Sequence, residues 1–171
     1  MGFLDQATTT RDIPITVLLP GFQARCALQV YGMVQMFIND DQKAVFPLRE
    51  VTLHGLEAGN PAVSMNVGEV FALKAQCHAL VFDTMLSHED TGLMARIERL
   101  VVYTSHYAIE GDFHLGKDIP VSDFIAGSRS QFVGATNVNF FPLFQPQAAV
   151  VQQAPLAFIH RQTVQMHHLM G

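Results

Sequence analysis

The chain has 171 residues, 49% of them hydrophobic and 15% charged, with a net charge of −5. A typical soluble domain carries about 25% charged residues, so this chain is charge-poor and outside the compositional range of disordered proteins. Its length suffices for one sizeable core or two small ones.

The acidic balance bears on partners. Affinity for nucleic acid comes largely from neutralised phosphates, and the sequence has no polybasic stripe; Arg96 and Arg99 are its closest basic pair, with Ile97 and Glu98 between them. Nucleic acid is therefore disfavoured. Sparse charge leaves apolar surface to be covered, which predicts a homo-oligomer.

Cys26 and Cys77 form neither a C-x-x-C pair nor a disulfide framework, so two buried thiols are expected. The start, Met1-Gly2-Phe3-Leu4-Asp5-Gln6, fits neither a signal peptide nor a myristoylation motif. No apolar run reaches roughly 18 residues, so no spanning helix is expected and the default location is cytoplasmic.

The elements, taken in chain order, come as two similar series. Ile13 to Leu19 reads as a first strand, and Pro20-Gly21 turns it into a second, where Phe22, Ala24, Cys26, Leu28 and Val30 alternate with mostly polar residues. One or two helical turns follow from Met33 to Asn39, then a strand over Ala44 to Leu53 and another over Glu69 to Phe82. Residues 83–95 form a connector in which Ser87 is placed to cap a helical turn.

The series then repeats: strands over Glu98 to Thr104 and from Tyr107, a helical turn over Val121 to Ala126, and strands over Gln131 to Phe140 and Leu156 to Leu169. Tyr107, Ile109, Gly111, Phe113 and Leu115 match the alternating residues of the second strand at an offset of 85. From Val34 the offset is 87 without a gap. Phe37-Ile38 meets Phe124-Ile125, Val51 meets Val138, Ala62-Val63 meets Ala149-Val150 and Phe71 meets Phe158.

These elements predict an all-β, internally duplicated chain: two small SH3-like or Sm-like β-barrel units with one short helical turn each, or one larger barrel with a pseudo-two-fold axis. The units are expected over residues 12–82 and 96–170. Asp123-Phe124-Ile125, Phe132 at the start of a strand, and Thr136-Asn137-Val138 resemble a pattern in an uncharacterised bacterial family of small duplicated β-modules. The first copy departs from it, with Met36 in place of the Asp and Arg49-Glu50-Val51 in place of Thr-Asn-Val. The resemblance implies no activity.

Motifs for chemistry are sparse. Of eight histidines, His160, His167 and His168 cluster in sequence, but neighbours in a strand face opposite ways, and His160 and His168 would lie roughly 26 Å apart along it. No H-E-x-x-H, G-x-S-x-G or G-K-[ST] motif occurs, so no metal, cofactor or catalytic residue is assigned. One segment stands out: Phe140, Phe141, Leu143 and Phe144 crowd around Pro142 where a loop is expected. An exposed aromatic tip there would dock a second subunit, another protein or a small molecule.

The expected function is thus a non-enzymatic binding or assembly module that associates through apolar surface. The alternatives are a small-ligand protein or enzyme with a pocket between the units, using His114 or His160, and, third, Sm-like nucleic-acid binding through stacked aromatic residues.

Overall fold

The computed structural model describes residues 9–171; the N-terminal segment read above lies outside the described residues. Ten strands occur in them: β1 (Thr10–Leu19), β2 (Phe22–Tyr31), β3 (Val45–Gly55), β4 (Met65–Leu73), β5 (Ala79–Phe82), β6 (Arg96–Tyr103), β7 (Tyr107–Leu115), β8 (Phe132–Pro142), β9 (Gln153–His160) and β10 (Met166–Leu169). Short helices are α1 (Val34–Asn39), α2 (His88–Thr91) and α3 (Phe124–Gly127).

All ten strands belong to one antiparallel sheet in the order β10-β6-β7-β8-β9-β5-β1-β2-β3-β4. The sheet does not close into a barrel: β10 and β4 are its two edges, so the single larger barrel expected from the sequence is not formed. Along the sheet the order 10-6-7-8-9 repeats 5-1-2-3-4 in the same sense. The halves join where β9 pairs β5, with Ala79 opposite Ile159, Leu80 opposite Phe158, Val81 opposite Ala157 and Phe82 opposite Leu156.

Local irregularities recur with the strands. The β2–β3 register shifts between Arg25 and Ala27, and the β7–β8 register between Glu110 and Asp112. Across from these shifts sit Glu50 and Asn137, with φ of 50° and 49°. A bulge residue in the left-handed region bends its strand, and Asn tolerates that region better than Glu. Where the sequence suggests one long fourth strand per half, each is cut by a 3-10 turn, Lys74–Gln76 and Arg161–Thr163. At Lys74 the buried ammonium donates to the Asp40 carbonyl at 2.8 Å.

Two cores follow from strand alternation. In β5, Leu80 and Phe82 belong to one core while Ala79 and Val81 belong to the other; β9 divides likewise, Leu156 and Phe158 against Ala157 and Ile159. Alternate residues face opposite sides of a sheet, so the cores lie on opposite faces, and the central strands are buried on both. This explains why Ala79–Phe82 and Leu156–Ile159 are unbroken apolar runs instead of alternating ones.

The connector is part of the fold. Ser87 caps α2 by accepting from the Asp90 N–H at 3.2 Å, as its sequence position suggests. Asp90 pairs with Arg11 and accepts from the Val34 N–H at 3.3 Å, so the carboxylate ties the connector to β1 and α1. The Arg11 hydrogen bond holds the Asp90 carboxyl below its ordinary range.

Because Phe158 of the second half packs in the first half's core, the two cores should melt together. Phe158→Ala is expected to cost about 3–5 kcal/mol. Urea denaturation should show one cooperative transition moved to lower denaturant; two transitions with only one displaced would mean the cores are independent.

Candidate interaction surface

The aromatic segment divides in two. Phe140 is the inward residue of β8 and lies fully in the second core, and Phe144 packs at ring-centroid distances of 5.9 Å from both His106 and Tyr107. Phe141 and Leu143 are about half exposed. The sequence thus marks the segment, but the pleat decides which side chains reach water: Phe140 and Phe141 are neighbours on one strand and face opposite ways.

The loop after them is fastened to the first half. The Gln147 amide donates to the carbonyls of Gly55 (2.9 Å) and Asn60 (3.0 Å), and the Gln147 N–H donates to the Leu56 carbonyl at 2.8 Å. Buried Gln23, at the start of β2, donates to the Ala149 carbonyl at 3.2 Å and accepts from the Val151 N–H at 2.9 Å. Phe141 and Leu143 are therefore presented by a held loop.

Exposed apolar side chains gather elsewhere as well. Phe71 (63% exposed) and Leu73 (55%) lie on β4, and Met166 (60%) and Leu169 (52%) lie on β10. These are the two edge strands, whose outer backbone groups pair with no strand among the described residues. Native edges usually carry charges or proline against unwanted pairing. Here β10 reads Met-His-His-Leu, and Glu69 is the one charged residue of β4. The sequence does not mark these edges, because each runs within what reads as one longer strand, Glu69 to Phe82 and Leu156 to Leu169.

Histidines meet at the junction of the halves. The His78 ring lies 5.2 Å from that of His106 and 5.9 Å from Tyr107, and the His160 N–H donates to the His78 carbonyl at 2.9 Å. Both His78 ring nitrogens, the Tyr107 hydroxyl and His160 Nδ1 are buried without a hydrogen-bond partner among the described residues. Burial, reinforced by His106 and His160, pushes His78 down to about 4, and burial lowers His160 as well. His114 stands apart, bonded to the Met94 carbonyl (2.8 Å) and Thr136 Oγ1 (3.0 Å). His167 Nε2 contacts the Val121 carbonyl at 2.8 Å, and His168 meets the Tyr103 hydroxyl at 3.1 Å.

No group of three or more His, Cys, Asp or Glu side chains among the described residues is placed to hold a metal ion. Cys26 and Cys77 are buried free thiols, each pushed up to about 12 by burial, which makes them poor nucleophiles. A cleft of about 310 Å³ opens between the halves, where Gln35 and Asn39 face Leu93, His114 and Phe132. No helix among the described residues is long and apolar enough to cross a membrane.

No family model matches the chain, and neither a curated protein nor a solved structure is detectably similar to it.

The junction histidines set a pH dependence. In the fold, His78 takes up its proton near pH 4, while the unfolded chain does so near 6.5. The unfolded state therefore binds more protons between these values, so this contribution to stability is complete above 6.5 and is lost as pH falls towards 4. His78→Phe should flatten that slope: its urea midpoint should fall less between pH 7 and pH 4.5 than that of the wild type. Equal falls in both proteins would assign the acid sensitivity elsewhere.

Proposed function

We propose that this protein is a non-enzymatic assembly module, a tandem of two duplicated SH3-like or Sm-like β-units that self-associates through apolar surface. The duplication is supported by the identical strand order of β5-β1-β2-β3-β4 and β10-β6-β7-β8-β9. It is supported again by features spaced 87 residues apart: Glu50 with Asn137 and the 3-10 turn at Lys74 with that at Arg161. Even single backbone bonds correspond, Lys74 N–H to the Ala44 carbonyl and Arg161 N–H to the Gln131 carbonyl, both 2.9 Å.

The observation that carries the functional reading is the concentration of exposed apolar side chains on the two unpaired edge strands, with Phe141 and Leu143 as a further apolar site. Contiguous exposed apolar surface on a soluble protein marks a contact site. A second reading, a small-ligand protein, is favoured by the cleft between the halves with His114 in its wall.

Native mass spectrometry of the untagged chain separates the two. The assembly reading expects a defined oligomer with no added mass. A monomer carrying a constant extra mass would overturn it in favour of the cleft. Phe141→Ser with Leu143→Ser then reports whether the loop contributes to the contact.

A further inference from the structure

We propose that copies of this chain join head to tail, β4 of one copy pairing antiparallel with β10 of the next, in the arrangement that β9 and β5 already make inside each copy. The proposal rests on the assembly reading and specifies its interface. Within the chain, the fourth strand of the second half (β9) pairs with the fifth strand of the first (β5). The fourth strand of the first half is β4 and the fifth strand of the second is β10, and these are the two edges of the sheet. The molecule therefore carries one such junction complete and both sides of another open, at the two edges of the sheet.

The side chains fit this correspondence. Phe71 occupies the place of Phe158, Leu73 that of His160, Met166 that of Ala79 and Leu169 that of Phe82, each displaced by 87 residues. The four counterparts at the internal junction are all buried, whereas the four edge residues are more than half exposed. Phe158 packs edge-on against Phe82 with ring centroids 5.8 Å apart, inside the core of the half to which β5 belongs. Phe71 correspondingly projects from its own half and would enter the second core of the neighbouring copy beside Leu169.

Carrying the internal register over gives the pairing: Met166 opposite Ala72, His167 opposite Phe71, His168 opposite Val70 and Leu169 opposite Glu69. The bond from the His160 N–H to the His78 carbonyl becomes one from the Leu73 N–H to the Gln165 carbonyl. Two different surfaces meet in this contact, so it is heterologous and repeats until it closes a ring or runs on as a filament. Main-chain pairing supplies the affinity and the apolar side chains the register, as in other strand additions.

The test uses two edge variants, Phe71→Asp on β4 and Met166→Lys on β10, both at exposed positions. Each alone is expected to be monomeric by native mass spectrometry at concentrations where the wild type is oligomeric, a loss of at least tenfold in association. Mixed, they should form a one-to-one heterodimer that grows no further, because the intact β10 of the first pairs with the intact β4 of the second. Circular dichroism checks that each folds, and Leu73→Asp replaces Phe71→Asp if that variant does not. A monomeric wild type would overturn both this proposal and the assembly reading. A wild-type oligomer that both variants leave intact would overturn edge pairing alone and leave assembly through another surface. Monomeric variants that fail to form the heterodimer would overturn the head-to-tail arrangement.

Discussion

The pairing of β5 with β9 is the constraint on which the rest of the structure depends. Only four residues of β5 take part, yet each is fully buried, because the strand lies between two cores on opposite faces. A strand in that position must be apolar on both sides and must have a neighbour along each edge, since an unpaired buried N–H or carbonyl is costly. Ala79–Phe82 meets the first demand by sequence and the second by β1 and β9. The two halves are in consequence parts of one packed body, although each repeats the same local plan.

Polar groups fix how the halves meet. Asn39, at the end of α1, accepts from the Phe132 N–H at 2.9 Å, and so positions the first residue of β8 against the first half. Gln23 and Gln147 do the same elsewhere along the junction: Gln23 satisfies the Ala149 carbonyl and the Val151 N–H of the β8–β9 loop, and Gln147 of that loop donates to the Gly55 and Asn60 carbonyls of the first half. These bonds contribute about 1 kcal/mol each at most, but a missing partner would leave a buried backbone group unsatisfied, which costs more. They act mainly on specificity: one placement of the loop satisfies all of them.

Much of this plan is legible in the sequence, and what is not has physical causes. The alternating residues of β2 and β7 are readable because each strand has one core face, and the ungapped offset of 87 is readable because the bulges and turns are kept in both halves. Strand length is not, because the 3-10 turns at Lys74 and Arg161 interrupt the runs without glycine or proline to mark them. The order of the halves is invisible too. Nothing in residues 79–82 or 156–160 names their partner, since fully buried strands pair by apolar bulk with little side-chain code. Of the aromatic segment, the sequence locates Phe140, Phe141, Leu143 and Phe144 but cannot sort core from surface. That depends on where β8 ends and on the Leu143 N–H bonding to the His106 carbonyl at 2.8 Å.

A unit built on the order 5-1-2-3-4 has an inherent asymmetry. Its fifth strand needs an outer neighbour to complete its burial, and its fourth strand offers the surface that can serve as one. In the first half the need is met within the chain: Ala79, Val81 and Phe82 are fully covered because β9 lies beside them. In the second half the same strand is β10, and its residues Met166 and Leu169 remain in water with only β6 as a partner. At the positions corresponding to Ala79 and Phe82 stand Met166 and Leu169, still apolar, whereas Leu80 and Val81 correspond to His167 and His168, which meet the Val121 carbonyl and the Tyr103 hydroxyl. The edge thus combines an apolar pair with polar residues that are satisfied without a second neighbouring strand. Under the proposed head-to-tail pairing, the two open edges are together the counterpart of the junction between β5 and β9.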